Sequence, residues 1–143
     1  MSKHDLTADQ LRAVFDFDPL TGVFSRRIEM GRNGRFKAGQ PAGGVDSNGY
    51  VLLRLGAHRY SGHRLAWLYV HGKWPTLQID HINGIRSDNR ISNLREASHF
   101  INAQNETRPR ANNTSGFLGV CWHKWSRRWV AQVWIDGKLR TVG

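Results

Sequence analysis

The sequence predicts an α+β fold made of small antiparallel sheets and few helices. Three observations carry this expectation. Short strand-like runs recur between turn residues, as in Ser47-Asn48-Gly49 before Tyr50 to Leu55 and Asp136-Gly137 before residues 138–142. Helical patterning is confined to short stretches near residues 7–14, 63–70 and 99–106. Residues 76–106 read in the order strand, loop, strand, helix. The expected divisions are an N-terminal helix and β region over 1–62, a compact core over 63–106, a basic linker over 107–116 and a three-stranded antiparallel sheet over 117–143.

Thr7 to Val14 reads as a helix. Thr7 stands three residues before Gln10, the spacing of a capping box, and Leu6, Leu11, Val14 and Phe15 supply apolar side chains. Asp18-Pro19-Leu20-Thr21-Gly22 is turn chemistry, and Val23 to Arg27 reads as a strand. Residues 31–49 are rich in glycine and basic side chains and read as a long loop. Tyr50 to Leu55 and His58 to Ser61 read as strands separated by Gly56-Ala57. His63 to Val70 is nearly all apolar and ends at Gly72 with Pro75 beyond, which predicts a buried helix with Trp67 and Leu68 in the core. His63 opens that helix, where it serves either the structure or a phosphate contact.

Leu77-Gln78-Ile79 alternates and reads as a strand ending at Asp80-His81. Residues 82–92 are mostly polar or glycine and read as a loop. Asn93-Leu94-Arg95 begins a second strand, and Ser98 is a candidate N-cap for a helix from His99 to Glu106.

Composition bounds the chemistry. The chain has 143 residues, room for one domain or two very small ones. It carries 21 Lys and Arg against 11 Asp and Glu, a net charge of +10. Such an excess suits a polyanion, because each neutralised phosphate releases counterions. A single cysteine, Cys121, excludes a disulfide framework and any multi-cysteine zinc site. No run approaches the ~18 apolar residues of a membrane span. The polar N-terminus lacks an apolar signal core, so the protein is expected to stay in the compartment where it is made.

Asp80-His81, Asn93 twelve residues after His81 and Asn102 nine further form the constellation that carries chemistry. Phosphodiester hydrolysis needs a deprotonated water, charge neutralisation at the phosphate and help for the leaving oxygen. A neutral histidine takes a proton near pH 7. A hard cation prefers oxygen ligands, and the Asp80 carboxylate and Asn102 amide oxygen are suitable donors. Asn93 is better placed to hold the histidine ring or the loop than to bind metal.

At these residues the segment from about His63 to Asn105 resembles the HNH nucleases in their ββα-metal form, and most of all the phage homing endonucleases. The shared pattern is Asp-His, then Asn-Leu-Arg, then an Asn on the helix. The resemblance implies that His81 is the general base, that Asp80 and Asn102 hold a divalent metal, and that Asn93 orients His81 or ties down the loop. Magnesium is the expected ion, manganese the alternative, and no structural zinc is expected because the paired cysteines of zinc-stabilised members are missing. His99 lies three residues before Asn102, where it serves either a solvent or phosphate contact or, as the lesser alternative, assists or replaces a ligand. Residues 5–62, with Phe15 to Gly22, resemble the N-terminal region of such phage proteins more loosely. There Arg26, Arg27, Arg32, Arg35 and Lys37 are expected to contact DNA, as are Arg108 and Arg110 in the linker.

The C-terminal stretch reads as strands at about 117–123, 128–135 and 138–142. It resembles the sheet of the Apetala/ethylene-response type of DNA-binding domain. The chain ends at Gly143, where that family's covering helix would begin, so the sheet is expected to lack its helix. Alternation puts Trp129, Ala131, Val133 and Ile135 on one face and Val130, Gln132 and Trp134 on the other. By this resemblance the second face, with His123, Trp125 and Arg140, would meet DNA.

Together these readings imply a metal-dependent endonuclease acting on double-stranded DNA, a monomer or weak dimer with no membrane partner and no small-molecule cofactor. A catalytically silent DNA-binding protein derived from a nuclease is the alternative, and a basic RNA-binding protein the third reading.

Overall fold

The computed structural model describes residues 5–29, 31–98, 113–135 and 138–142. They fall into two compact units, one within residues 1–105 and the other within 106–143. Both consist of small antiparallel sheets, and the fold is α+β as the sequence predicts.

In the first unit, helix α1 spans Ala8–Val14. Thr7 caps it through the expected capping box: its hydroxyl accepts from Gln10 N, and the Gln10 side chain accepts from Thr7 N. Strand β1, Phe15–Asp18, follows without a break and was not foreseen. Its burial alternates, with Phe15 and Phe17 inward and Asp16 and Asp18 outward. Four residues directly after a helix are too few for a period of two to stand out. β1 pairs with β2, Val23–Arg26, across the predicted turn, where the Asp18 carboxylate accepts from Leu20 N and the Thr21 hydroxyl.

The expected long loop is crossed by two very short strands, β3 at Pro41–Ala42 and β4 at Gly44–Val45. β3 joins β2, while β4 begins a second sheet with β5, Val51–Leu55, and β6, His58–Ser61. Helix α2, Gly62–His71, ends at Gly72, whose left-handed φ of 73° needs glycine and lets its N–H close on the Leu68 carbonyl.

One hydrophobic core gathers residues from Leu6 to Leu94, including Leu11, Phe15, Phe24, Leu53, Leu65 and Leu68. Residues on both sides of position 62 share it. Phe17 and Phe24 meet with ring centroids 4.5 Å apart, and Tyr69 of α2 packs against both. Leu68 is buried as expected, whereas Trp67 packs on the core's edge. The Trp74 indole donates to the Leu6 carbonyl, and Arg12 donates to that of Tyr69, so polar groups at the rim are satisfied. β7, Gln78–His81, and β8, Leu94–Ala97, form a separate antiparallel pair whose Ile79 and Leu94 enter the same core.

The second unit is a three-stranded antiparallel sheet of β9, Val120–His123, β10, Arg128–Ile135, and β11, Lys138–Thr141, with β10 central. Ahead of it, Asn113 Oδ1 accepts from the backbone N–H groups of Ser115 and Gly116. The register pairs Trp129 with Trp122 and Val133 with Arg140. Directly opposed residues of an antiparallel pair share a face. Arg140 therefore lies on the Trp129 face, and the expectation that it joins Gln132 and Trp134 is corrected. Pairing across β10 and β11, which a single strand's alternation cannot reveal, decides this. Among the described residues of this unit only Val130 is a buried hydrophobic, while Trp122, Trp129, Val133, Trp134, Ile135 and Leu139 are 41 % to 50 % exposed.

The expected helix from His99 to Glu106, with His99 and Asn102, lies outside the described residues, as do Arg108, Arg110 and the Asp136-Gly137 turn.

Candidate active site

The site is built at the end of β7. Ile79, Asp80 and His81 are all buried, so this short strand carries a carboxylate and an imidazole into the protein. The approach to β7 is anchored by Glu96 of β8, whose carboxylate accepts from Thr76 N and Leu77 N. Pairing then sets Asp80 opposite Arg95 and His81 opposite Leu94.

Asp80 is 5 % exposed, and its Oδ2 accepts from Nε and Nη2 of Arg95 at 2.9 and 2.8 Å. A buried carboxylate needs such a partner. The pairing also fixes the plane of the group the sequence singles out as a metal ligand.

His81 is 4 % exposed, and its surroundings come from three parts of the chain. Its Nε2 lies 3.3 Å from Asn89 Oδ1. The His63 ring stands edge-on with centroids 5.2 Å apart, and Tyr50 lies 6.0 Å away. Burial pushes the His81 pKa below the ordinary histidine value. The Asn89 hydrogen bond and the charges of Asp80 and Asp88 oppose this, and Arg86 reinforces it. His63 is pushed down to about 4, chiefly by burial and further by His81. Both shifts favour the neutral ring at pH 7.

The loop between β7 and β8 is polar but ordered by its own side chains. Asn93, 7 % exposed, accepts from Asn83 N at 3.0 Å through Oδ1 and donates from Nδ2 to the Asp88 carbonyl at 2.8 Å. It thereby ties both ends of the loop together. Asp88 accepts from Arg90 and from Asn83, and these bonds, led by Arg90, hold its pKa down to about 2. Arg86 reaches across to donate to the Asn48 carbonyl, with its guanidinium 5.1 Å from the Tyr50 ring centroid.

Of the residues singled out in the sequence, Asp80, His81 and Asn93 come together here. Asn89 and Tyr50 belong to the same cluster with no site role read from the sequence, and Arg95, which the sequence marks only as part of the Asn-Leu-Arg pattern, joins them as the partner of Asp80. Asn89 looks like any other polar loop residue in the sequence, and only its 1 % exposure distinguishes it.

The basic residues expected at DNA are more dispersed. Arg26 lies over the Phe36 ring and donates to the Pro41 carbonyl. Arg27 donates to the Arg12 carbonyl and pairs with Asp16, and Lys37 pairs with Glu29. Arg32 and Arg35 are exposed in the same stretch. In the second unit, His123 Nδ1 accepts from Ser126 N within the turn, Gln132 is half-buried, Trp134 half-exposed and Trp125 96 % exposed.

Among the described residues no cluster of three or more His, Cys, Asp or Glu side chains could hold a metal. The oxygen donors expected from the sequence are the Asp80 carboxylate, which lies here, and the Asn102 amide, which is outside the described residues. The only cysteine lies in the other unit. An all-oxygen set with one or two protein ligands suits a hard divalent cation that keeps waters and takes further ligands from phosphate. No helix among the described residues is long and apolar enough to cross a membrane.

Residues 60–104 match the family model described as HNH endonuclease. That segment holds α2, β7, the ordered loop and β8, with Asp80, His81, Asn89 and Asn93. The chain is also similar to Protein 3.8 of Escherichia phage T7, with 35 % identity over 77 residues. The similarity spans 53 % of this chain and 63 % of that protein. No solved structure matches. The family match supports an HNH nuclease segment at the place where the buried aspartate–histidine pair lies.

Proposed function

We propose that the protein is a metal-dependent DNA endonuclease that hydrolyses phosphodiester bonds with His81 as general base. One observation carries the reading. A buried Asp80–His81 pair ends β7, inside the segment that matches HNH endonucleases. Burial favours neutral His81 at pH 7, the form that accepts a proton from an attacking water. Asp80, oriented by Arg95, and Asn102 would hold the ion, magnesium before manganese. When bound, such an ion neutralises charge at the phosphate and stabilises the leaving oxygen. Asn93 maintains the loop beside His81. The net charge of +10 favours the duplex through counterion release.

In this reading residues 1–62 and the C-terminal sheet contribute DNA contacts and residues 63–106 the chemistry. Arg32, Arg35 and Lys37 meet phosphate in the first part and Arg108 and Arg110 in the linker, while in the last His123, Trp125, Gln132 and Trp134 meet DNA, without Arg140, which lies on the other face. The homing type, action in the cytoplasm, and the likeness of residues 117–143 to an Apetala-type sheet extend the proposal by sequence resemblance. A single site cuts one strand per encounter, so a monomer nicks.

The test is supercoiled plasmid incubated with magnesium, with and without chelator. Wild type should nick only with free metal. His81→Ala should bind DNA normally yet lose ~10²–10⁴-fold in rate, because only proton abstraction is removed. Chelator-resistant nicking, or a His81→Ala protein as fast as wild type, overturns the assignment.

A further inference from the structure

We propose that Asn89 is the residue that sets the working tautomer of His81, holding the proton on Nε2 and the lone pair on Nδ1. This deepens the nuclease reading and rests on it.

The geometry separates the roles of the two asparagines. Both Asn93 side-chain groups are engaged by the loop backbone. Asn89 instead faces the ring, with Oδ1 3.3 Å from Nε2. The two residues are 1 % and 4 % exposed, so Nε2 points into the protein. A water attacking substrate must then be served by the other ring nitrogen. An amide can meet Nε2 in two ways. If Oδ1 accepts from Nε2–H, Nδ1 bears the lone pair. If the amide is turned and Nδ2 donates to Nε2, the proton moves to Nδ1 and that nitrogen cannot act as a base. Only the first arrangement supports the chemistry. It leaves Asn89 Nδ2 buried without a hydrogen-bond partner among the described residues. A polar group kept buried at that cost is held by its surroundings.

Those surroundings are tight. Gly22, at φ 75°, packs on the backbone of Asn89 and Arg90, where a Cβ would lie 2.6 Å from the Asn89 carbonyl carbon. Gly62, at the start of α2, leaves room for the amide, since a Cβ there would meet Asn89 Nδ2 at 2.8 Å. Ile91 N donates to the Pro19 carbonyl, fastening the end of the loop to the β1–β2 turn. Asn89 is thus wedged between the β1–β2 turn and α2, and its amide has little freedom to swing away from the ring. In the proposed nuclease it is a positioning residue that acts through His81.

The test has two readouts. The first is the imidazole ¹⁵N spectrum of full-length wild type at pH 8, which distinguishes the two neutral tautomers without substrate or metal. The Nε2–H form is expected for His81, and the Nδ1–H form overturns the proposal. The second is plasmid nicking by Asn89→Leu and Asn89→Asp. Loss of an orienting partner commonly costs 10–100-fold, so Asn89→Leu should lower kcat by about that factor while KM changes little. Asn89→Asp retains an accepting oxygen and should recover most of kcat and the Nε2–H form. A leucine variant with wild-type kcat, or an aspartate variant no better than leucine, refutes the positioning role. If the leucine variant does not fold, the wild-type spectrum and the aspartate variant still decide. Normal nicking by His81→Ala would instead defeat the assignment of His81 as general base, and absence of magnesium-dependent nicking by wild type the nuclease reading itself, whichever tautomer is found.

Discussion

Replacing Asn93 by alanine separates holding the loop from touching the His81 ring. The side chain is buried and makes two hydrogen bonds, to Asn83 N near the start of the loop and to the Asp88 carbonyl in its middle. A typical bond contributes about 1 kcal/mol, and a backbone group left without its partner in a partly buried place costs somewhat more. Asn93→Ala should therefore lower unfolding free energy by about 2–3 kcal/mol, a large fraction of the ~5–15 kcal/mol of an ordinary domain. Urea denaturation measures that loss. Hydrogen exchange at the Asn83 amide gives the local signature, because its protection depends on Asn93 Oδ1. Asn93→Asp keeps that acceptor but places a second oxygen against the Asp88 carbonyl. It should retain Asn83 protection and still be destabilised. Nicking should fall in both variants, since the loop carries Asn89. If Asn93→Ala unfolds within ~0.5 kcal/mol of wild type and keeps Asn83 protected, the loop-holding argument is wrong.

Three other expectations follow from titration and from the division into units. The folded pKa of His63 lies near 4, below the ordinary 6.5, so its neutral form contributes stability that is present above about pH 6.5 and lost as pH falls toward 4. Urea titrations at pH 7.5 and 4.5 should show wild type losing on the order of 2 kcal/mol more than His63→Leu, and equal losses would contradict the burial argument. His81 is shifted the same way, so nicking should decline with a midpoint below the ordinary histidine value of 6.5; a midpoint above 7 would contradict it. Finally, among the described residues the hydrophobic core of the first unit runs from Leu6 to Leu94. A chain ending at Arg110 should therefore melt cooperatively by circular dichroism and nick non-specifically at low salt, while binding DNA more weakly. An unfolded product would show that the sheet is needed for the first unit's stability.

The sequence alone determined what short-range chemistry determines. The Thr7–Gln10 capping box, the Asp18–Gly22 turn, the Gly72 helix end and the strand ending at Asp80-His81 each follow from neighbouring residues. Strand β1 did not, because its four alternating residues abut a helix. The candidate base and the first ligand were legible for a similar reason: Asp-His and the later asparagines are marked by residue type and spacing. Tertiary structure decided the partners. Arg95 meets Asp80 through strand register, Arg140 changes face because β11 pairs with β10 at Val133, and Asn89 meets His81 because a polar loop folds inward against Gly22 and Gly62. Burial of a polar side chain depends on what distant segments bring to it, and nothing local to Ser87-Asp88-Asn89-Arg90 shows which of the four lies inside.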